Sequence, residues 1–414
     1  MTESGGISFL PYGKHDISDD DIAAVVRVMK SGVLTNGPTA KAFEDELARQ
    51  VGANEAVAVS SGTAALHLAA IAAGLRPGLA AIVPAVTFLA TASAVRQTGA
   101  EVVFADVDPN TGLMRPEDCD AALQVTKTMG LKAAAVLPVH LGGAVCDMPG
   151  LAQLADHHGL TVLEDACHAL GASYLGQDGT EQKVGACRHA DMALFSFHPV
   201  KTVAMGEGGA ITLNNRHLAE RLRRLRSHAM KREPEVFANA ALAHDSGGRV
   251  NPWYYEASEL GFNYRASDLH CALGLSQLHR LDSFLKRRDE LAHCYDSLLT
   301  SLGPEILPVP RISGCRPGWH LYRVLIDFTR LGIERGTLMR RLQDQGIGSQ
   351  VHYIPVPWQP FYARAAQGQE FPGAARYYER TLSLPLFPAM GDDDPQRVVV
   401  ALSQALKAPS VSHD

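Results

Sequence analysis

The chain has 414 residues, 46% of them hydrophobic and 20% charged, with a formal net charge of −6. That is globular composition, with length for a large core and a second, smaller domain. The acidic balance offers no broad basic field to nucleic acid or an anionic membrane, and the most apolar stretch, 64–86, is interrupted by His67, Gly74, Arg76, Pro77, Gly78 and Pro84, short of the roughly 20 continuous apolar residues of a bilayer span.

The N-terminus, MTESGGISFLPYGKHDISDDD, has no basic segment followed by an apolar one, so no secretory signal is read. Strands are predicted at 56–60, 80–84, 102–107, 133–139, 161–166, 192–197 and 210–214, separated by helical stretches such as 63–74 and 89–99. These strands are nearly continuous in Ala, Val, Ile and Leu, the pattern of a parallel sheet covered on both faces. Alternation of strand and helix predicts an α/β architecture with ligand sites beyond the carboxyl ends of the strands. From about residue 281 the texture changes: a helix over 279–299, a Pro/Gly-rich linker over 303–318, a strand over 320–328, a helix over 336–346 ending at Gly346, and a strand over 349–355. The expected organisation is a large domain over 16–280 and a smaller α+β domain over 281–408, with residues 1–15 packing near the latter. The seven cysteines are widely spaced without a C-x-x-C pair, which suits reduced thiols in the cytoplasm. Cys187 and His189 near His198 match no common zinc spacing, so no metal is expected.

Three segments and one aromatic carry the chemistry. In FSFHPVKTVAMGEGGA (195–210), Lys201 follows a strand, with Ser196 before it and a Gly-rich turn after it. Lysine is a poor nucleophile unless its charge is disfavoured, and an aldehyde cofactor bound as an imine is one solution. Alone, the segment also fits a surface lysine in a turn. In TVLEDACHALGA (161–172), Asp165 ends a strand and His168 follows. A carboxylate there could keep the ring nitrogen of pyridoxal 5'-phosphate protonated, with His168 near the ring or its phenolic oxygen; Asp165 could equally cap the next helix. In SSGTAALHLA (60–69), Gly62 and Thr63 open a helix whose first N–H groups can bind the cofactor phosphate. Phe88, after the next strand, could stack on the ring or lie in the core. The order of phosphate loop, aromatic, aspartate and lysine, each past a strand, is far more specific than any one part.

On these motifs, and on DVDPNTGLM, VHLGGAVCDM, ELGFNYRASDLHCALGLSQLHRLD and GIGSQVHYIP, the chain resembles the DegT/DnrJ/EryC1/StrS sugar aminotransferases along nearly its whole length. The resemblance implies the type I aminotransferase fold. It implies Lys201 as the cofactor lysine and proton shuttle, Asp165 on the pyridine nitrogen, Phe88 on the ring, and Gly62, Thr63 and Ser196 on the phosphate. It also implies that Asn263 reaches the phosphate of the neighbouring subunit in a homodimer with shared active sites, and that His352 and Tyr353 line the sugar pocket. WYYEASELGFNYR, FSFHPVKT and GSQVHYIPVPWQPFY resemble the branch that aminates C4 of a UDP-linked 4-keto-6-deoxy-N-acetylhexosamine on the pseudaminic acid route, with glutamate as donor. Another nucleotide-linked keto-sugar is the alternative. The chain departs from the family pattern at Leu141-Gly142-Gly143, at Asn36, and in a long loop over 234–253 that is expected to shape nucleotide-sugar recognition. A regulator that senses the cofactor would need a DNA-binding domain, and about 15 residues before the family-like region are too few; the basic stretch AERLRRLRSHAMKR reads as a solvated helix face.

Overall fold

Seven strands form the central sheet of the computed structural model, which describes residues 8–364 and 366–407. They are β1 (Glu55–Val59), β2 (Leu79–Pro84), β3 (Glu101–Ala105), β4 (Lys132–Val136), β5 (Thr161–Asp165), β6 (Met192–Ser196) and β7 (Gly209–Leu213), in the spatial order β1-β7-β6-β5-β4-β2-β3. Each lies within a few residues of its predicted span. β2 reads LAAIVP and is buried from its second residue onward, as a strand covered on both faces requires.

The pairs β2–β3, β2–β4, β4–β5 and β5–β6 are parallel. The sheet is mostly parallel, as expected; the exception is the run at 210–214, where β7 is antiparallel to both β6 and β1. Its connection from β6, residues 197–208, contains no helix. A parallel return needs a crossover, usually helical, so the chain turns back directly. That turn carries Lys201.

Helices α1 (Asp19–Ser31) and α2 (Pro38–Val51) precede the sheet, and α3 (Gly62–Ala72), α4 (Leu89–Gln97), α5 (Pro116–Thr128) and α6 (Met148–His158) follow β1 to β4 in turn. Further along lie α7 (Arg216–Leu225), α8 (Asp268–Leu278) and the long α9 (Leu281–Leu299). Asn36, before α2, has φ 55°, a left-handed conformation that asparagine tolerates better than most side chains. Asp268, fully buried at the start of α8, accepts from the amides of Gly37, Thr39 and Ala40 and so ties α8 to the open N-terminus of α2.

Beyond α9, β8 (Ile306–Pro308), β9 (Tyr322–Ile326) and β10 (Thr381–Leu384) make a three-stranded antiparallel sheet in the order β8-β9-β10. With α10 (Arg335–Asp344) and α12 (Asp394–Lys407) it encloses a second apolar cluster that includes Tyr295, Tyr322, Leu338 and Leu402. Leu10 belongs to this cluster, and its amide and carbonyl bond to Gly346 and Gly348. The first cluster, around the large sheet, also takes in Leu281, Leu285, Val356 and Tyr362, as well as Tyr377 of α11 (Pro372–Arg380), so C-terminal residues close over the carboxyl ends of the large sheet.

The strand expected over 349–355 is not one. The segment makes a single antiparallel bridge, Gln350 to Ser383 of β10, and Pro355 and Pro357 just beyond it lack the N–H groups a ladder needs. The segment instead sets His352 against Ser383 of β10 and Tyr353 against His168 beyond β5.

Candidate active site

The loops after β1, β2, β5 and β6 meet residues 350–354 around a cavity of ≈ 570 Å³, within the range of small-molecule and cofactor sites. Gly62, Thr63, Phe88, Asp165, His168, Ser196, Lys201, His352 and Tyr353 all line it. Asn263 does not. It is exposed and forms an isolated bridge with Ser227. None of residues 234–253 reaches this cavity either.

One end of the cavity suits an anion. α3 starts at Gly62, and the hydroxyl of its N-cap Ser61 accepts from the Ala64 amide. The helix leaves the Gly62 and Thr63 amides without intrahelical partners and adds the positive end of its dipole. A Cβ on Gly62 would lie 2.8 Å from the Cβ of Ser196, at the end of β6. Glycine is therefore what lets the helix N-terminus close against the Ser196 hydroxyl. Main-chain amides and a hydroxyl converge there, as a phosphate group requires.

Asp165 ends β5 and is buried. Its Oδ2 accepts from Thr91 Oγ1 at 2.8 Å and its Oδ1 from the Cys167 amide at 3.2 Å. Lys201 is half-buried and, among the described residues, its Nζ has no hydrogen-bond or ion-pair partner. Burial lowers its pKa, against the opposing pull of Cys167 and Asp165, which moves the amine toward its nucleophilic form. The ring of Phe88, 56% exposed, stands 5.8 Å from that of Tyr353 at the mouth of the cavity.

His168 is buried, and its tautomer follows from its partners. The Gly142 amide donates to Nδ1 at 3.2 Å, so the ring proton sits on Nε2, facing the Tyr353 hydroxyl at 3.2 Å. Burial first, then the charges of Lys201, His352 and Arg323, push its pKa well below the usual imidazole value; the ring stays neutral. The departure at Leu141-Gly142-Gly143 has its reason here. Gly142 has φ 70°, and a Cβ on it would come within 2.4 Å of Arg323 Nε. Any other residue would lose both the left-handed turn and the close approach. Behind the site, His140 Nε2 meets Glu164 at 2.8 Å while its Nδ1 accepts from the Cys146 amide.

His352 is buried with Nδ1 2.8 Å from Ser383 Oγ; burial, with Lys201 and Arg323, brings its pKa down to about 3. Tyr12 and His320 also line the cavity and were not singled out from the sequence. Neither lies after a strand of the large sheet, so no local pattern marks them.

A mostly parallel α/β sheet with a half-buried, unpaired lysine, a strand-end aspartate and an anion cradle around one cavity defines a pyridoxal-phosphate-dependent aminotransferase. Comparison with known proteins agrees. The profile of the DegT/DnrJ/EryC1/StrS aminotransferase family matches residues 15–403. The spore coat polysaccharide biosynthesis protein SpsC of Bacillus subtilis is 40% identical over 402 residues, covering 96% of this chain and 97% of its own. Helicobacter pylori PseC, an aminotransferase of pseudaminic acid biosynthesis, superposes with a TM-score of 0.83 at 25% identity, covering 97% of this chain and all of that one. The Streptococcus pneumoniae protein Spr1654, a candidate sugar aminotransferase solved in its PLP form, gives a TM-score of 0.82 at 26% identity over 96% and 99% of the two chains. The chain belongs to the DegT/DnrJ/EryC1/StrS family and is a sugar aminotransferase that uses pyridoxal phosphate. Among the described residues no helix is long and apolar enough to cross a membrane.

Proposed function

We propose that the enzyme moves an amino group from an amino acid, glutamate in the simplest case, to C4 of a UDP-linked 4-keto-6-deoxy-N-acetylhexosamine, making an amino-sugar for pseudaminic acid or a related glycan. The observation that carries the reading is the convergence of Lys201, Asp165 and the Gly62–Ser196 cradle on one cavity. The likeness to PseC supports the sugar. The higher identity to SpsC favours a second reading, in which the acceptor is another nucleotide-linked keto-sugar used for a surface polysaccharide.

The cofactor, when bound, supplies an electron sink for the carbon that gains or loses the amino group. Gly62, Thr63 and Ser196 hold its phosphate through two amides and a hydroxyl. Asp165, aimed by Thr91 and the Cys167 amide, keeps the proton on the pyridine nitrogen. Phe88 would cover one side of the ring, and His168, whose Nε2–H faces the Tyr353 hydroxyl, would lie beside the ring. Lys201 Nζ would anchor the cofactor and carry the proton at the substrate carbon; its lowered pKa suits both tasks. His352 and Tyr353 line the sugar side. In this reading the enzyme is a cytoplasmic homodimer, each protomer divided near residue 280 into a large cofactor-binding and a small C-terminal domain. Asn263 of one protomer serves its partner's phosphate, and the 234–253 loop contributes to nucleotide recognition.

The deciding experiment incubates the loaded enzyme and glutamate with a panel of UDP-, dTDP- and GDP-linked 3- and 4-keto-sugars and reads products by mass and NMR. Amination at C4 of the UDP-N-acetyl substrate alone supports the first reading. Turnover of only another member replaces it.

A further inference from the structure

Besides Lys201, a buried histidine in the cavity makes no hydrogen bond among the described residues. His320 is 4% exposed and lines the cavity, and its ring lies against that of His168 with centroids 4.4 Å apart. Its Nδ1 is sealed from solvent without a hydrogen bond, and among the described residues its Nε2 makes none. The neighbouring imidazoles are already engaged: His168 Nδ1 by Gly142, His168 Nε2 by Tyr353, and His352 Nδ1 by Ser383. The main chain around His320 is nevertheless held firmly. Arg288, 1% exposed, uses Nη1 on the carbonyls of Trp319, His320 and Leu386 at 3.1, 3.4 and 2.9 Å. Leu321 and Gly318 bond in turn to the carbonyls of Gly142 and Gly143.

A rigid buried ring left unpaired beside imidazoles that are paired is a group waiting for a ligand. A sealed orphan N–H is rarer than a sealed orphan lone pair, so the proton belongs on Nε2, the polar edge left to the cavity. Within the aminotransferase reading above, we propose that His320 is a substrate-binding residue whose Nε2–H donates to an oxygen of the bound substrate. That oxygen belongs either to the keto-sugar or to the carboxylate of the amino donor. Arg288 is then a positioning residue that acts through the main chain of His320.

The test compares wild-type holoenzyme with His320→Phe, which keeps the stacking ring, and His320→Gln, which keeps a donor. The cofactor absorbance and its pH titration are followed first; the affinity for L-glutamate is then taken from the spectral change it causes, and KM and kcat from the keto-sugar that turns over. His320→Phe is expected to keep the absorbance titration and to weaken one of the two substrates about tenfold, the loss of one hydrogen bond, with partial recovery in His320→Gln. The substrate affected identifies the oxygen. Unchanged affinity for both substrates overturns the proposal, and so does a shifted absorbance titration with neither substrate weakened, which would turn the ring toward the cofactor. Should His320→Phe fail to fold, ¹⁵N-histidine NMR of the wild-type holoenzyme decides, with the signal assigned from His320→Gln. Movement of the His320 signal on adding glutarate or UDP-N-acetylglucosamine upholds the proposal, and no movement with either overturns it. An enzyme that glutamate converts normally keeps its aminotransferase reading whichever way His320 falls.

Discussion

Thr91 Oγ1 donates to Asp165 Oδ2 at 2.8 Å, and because that proton is committed, the Thr87 hydroxyl at 2.8 Å must donate to Thr91 in turn. The start of α4 thus aims the carboxylate that ends β5, while the Cys167 amide fixes its other oxygen. Asp165→Asn keeps the shape and removes the charge. The variant is expected to retain part of its cofactor and to lose about 10²–10³-fold in kcat, the scale of a lost preorganised electrostatic contact. Thr91→Val, which only frees the carboxylate to turn, is expected to cost about tenfold. Steady-state kinetics on cofactor-saturated protein check both. Wild-type turnover in Asp165→Asn would remove Asp165 from the mechanism.

Borohydride treatment of the loaded enzyme is expected to leave a pyridoxyl group on Lys201 alone, found by peptide mapping. The half-buried, unpaired Nζ with its lowered pKa is the reason. Lys201→Ala should bind cofactor without a reducible bond and lose turnover. An adduct on another lysine with none at Lys201 would displace the assignment.

Local sequence carried the large sheet well because β1 to β7 are buried on both faces and bear few polar residues. It did not reveal the direction of β7, which depends on the length and helix content of the connection before it. The segments that line the cavity were legible for a related reason: Gly62, Asp165 and Lys201 each lie at or just past the end of a strand. His320 and Tyr12 left no such mark. His320 reaches the cavity through main-chain bonds between residues 318–321 and the Gly142–Gly143 turn, a contact distant in sequence. Residues 349–355 misled because an edge strand and a loop bridged to β10 only at Gln350 read alike until the pairing is seen.

Acid should destabilise the folded enzyme through its buried histidines. His168, His320 and His352 have folded pKa values below the ordinary imidazole range, with burial the leading cause in each case, and His352 lies at about 3. Above about pH 6.5 both folded and unfolded forms are neutral and the shifts have no effect. As pH falls below that value, the unfolded chain takes up protons that the folded chain refuses, and stability drops by up to about 1.4 kcal/mol per pH unit for each histidine. For His352 the drop continues until about pH 3. Urea denaturation of the holoenzyme between pH 8 and 5 should therefore show a fall beginning near pH 6.5. His352→Gln should make the fall shallower by about one proton. A slope that His352→Gln leaves unchanged would mean that His352 is protonated in the fold.

Asn263 lies outside the cavity and is exposed beside Ser227, whereas the family resemblance implies a contact with a cofactor phosphate. A two-fold dimer resolves the two, since each protomer can give Asn263 to its partner and receive the same in return. Asn263→Ala should then loosen cofactor retention without moving the adduct from Lys201. Mixing shows more. Lys201→Ala and Asn263→Ala proteins are each impaired as homodimers. After dissociation and reassociation, a heterodimer collects both lesions in one site and leaves the other with Lys201 from one chain and Asn263 from its partner. That site should restore up to half of the wild-type activity per heterodimer. Two differently tagged chains, copurified, confirm exchange, and Asn263→Ala must be strongly impaired by itself. Confirmed exchange without recovered activity would place Asn263 in its own subunit's site and end the shared-site reading.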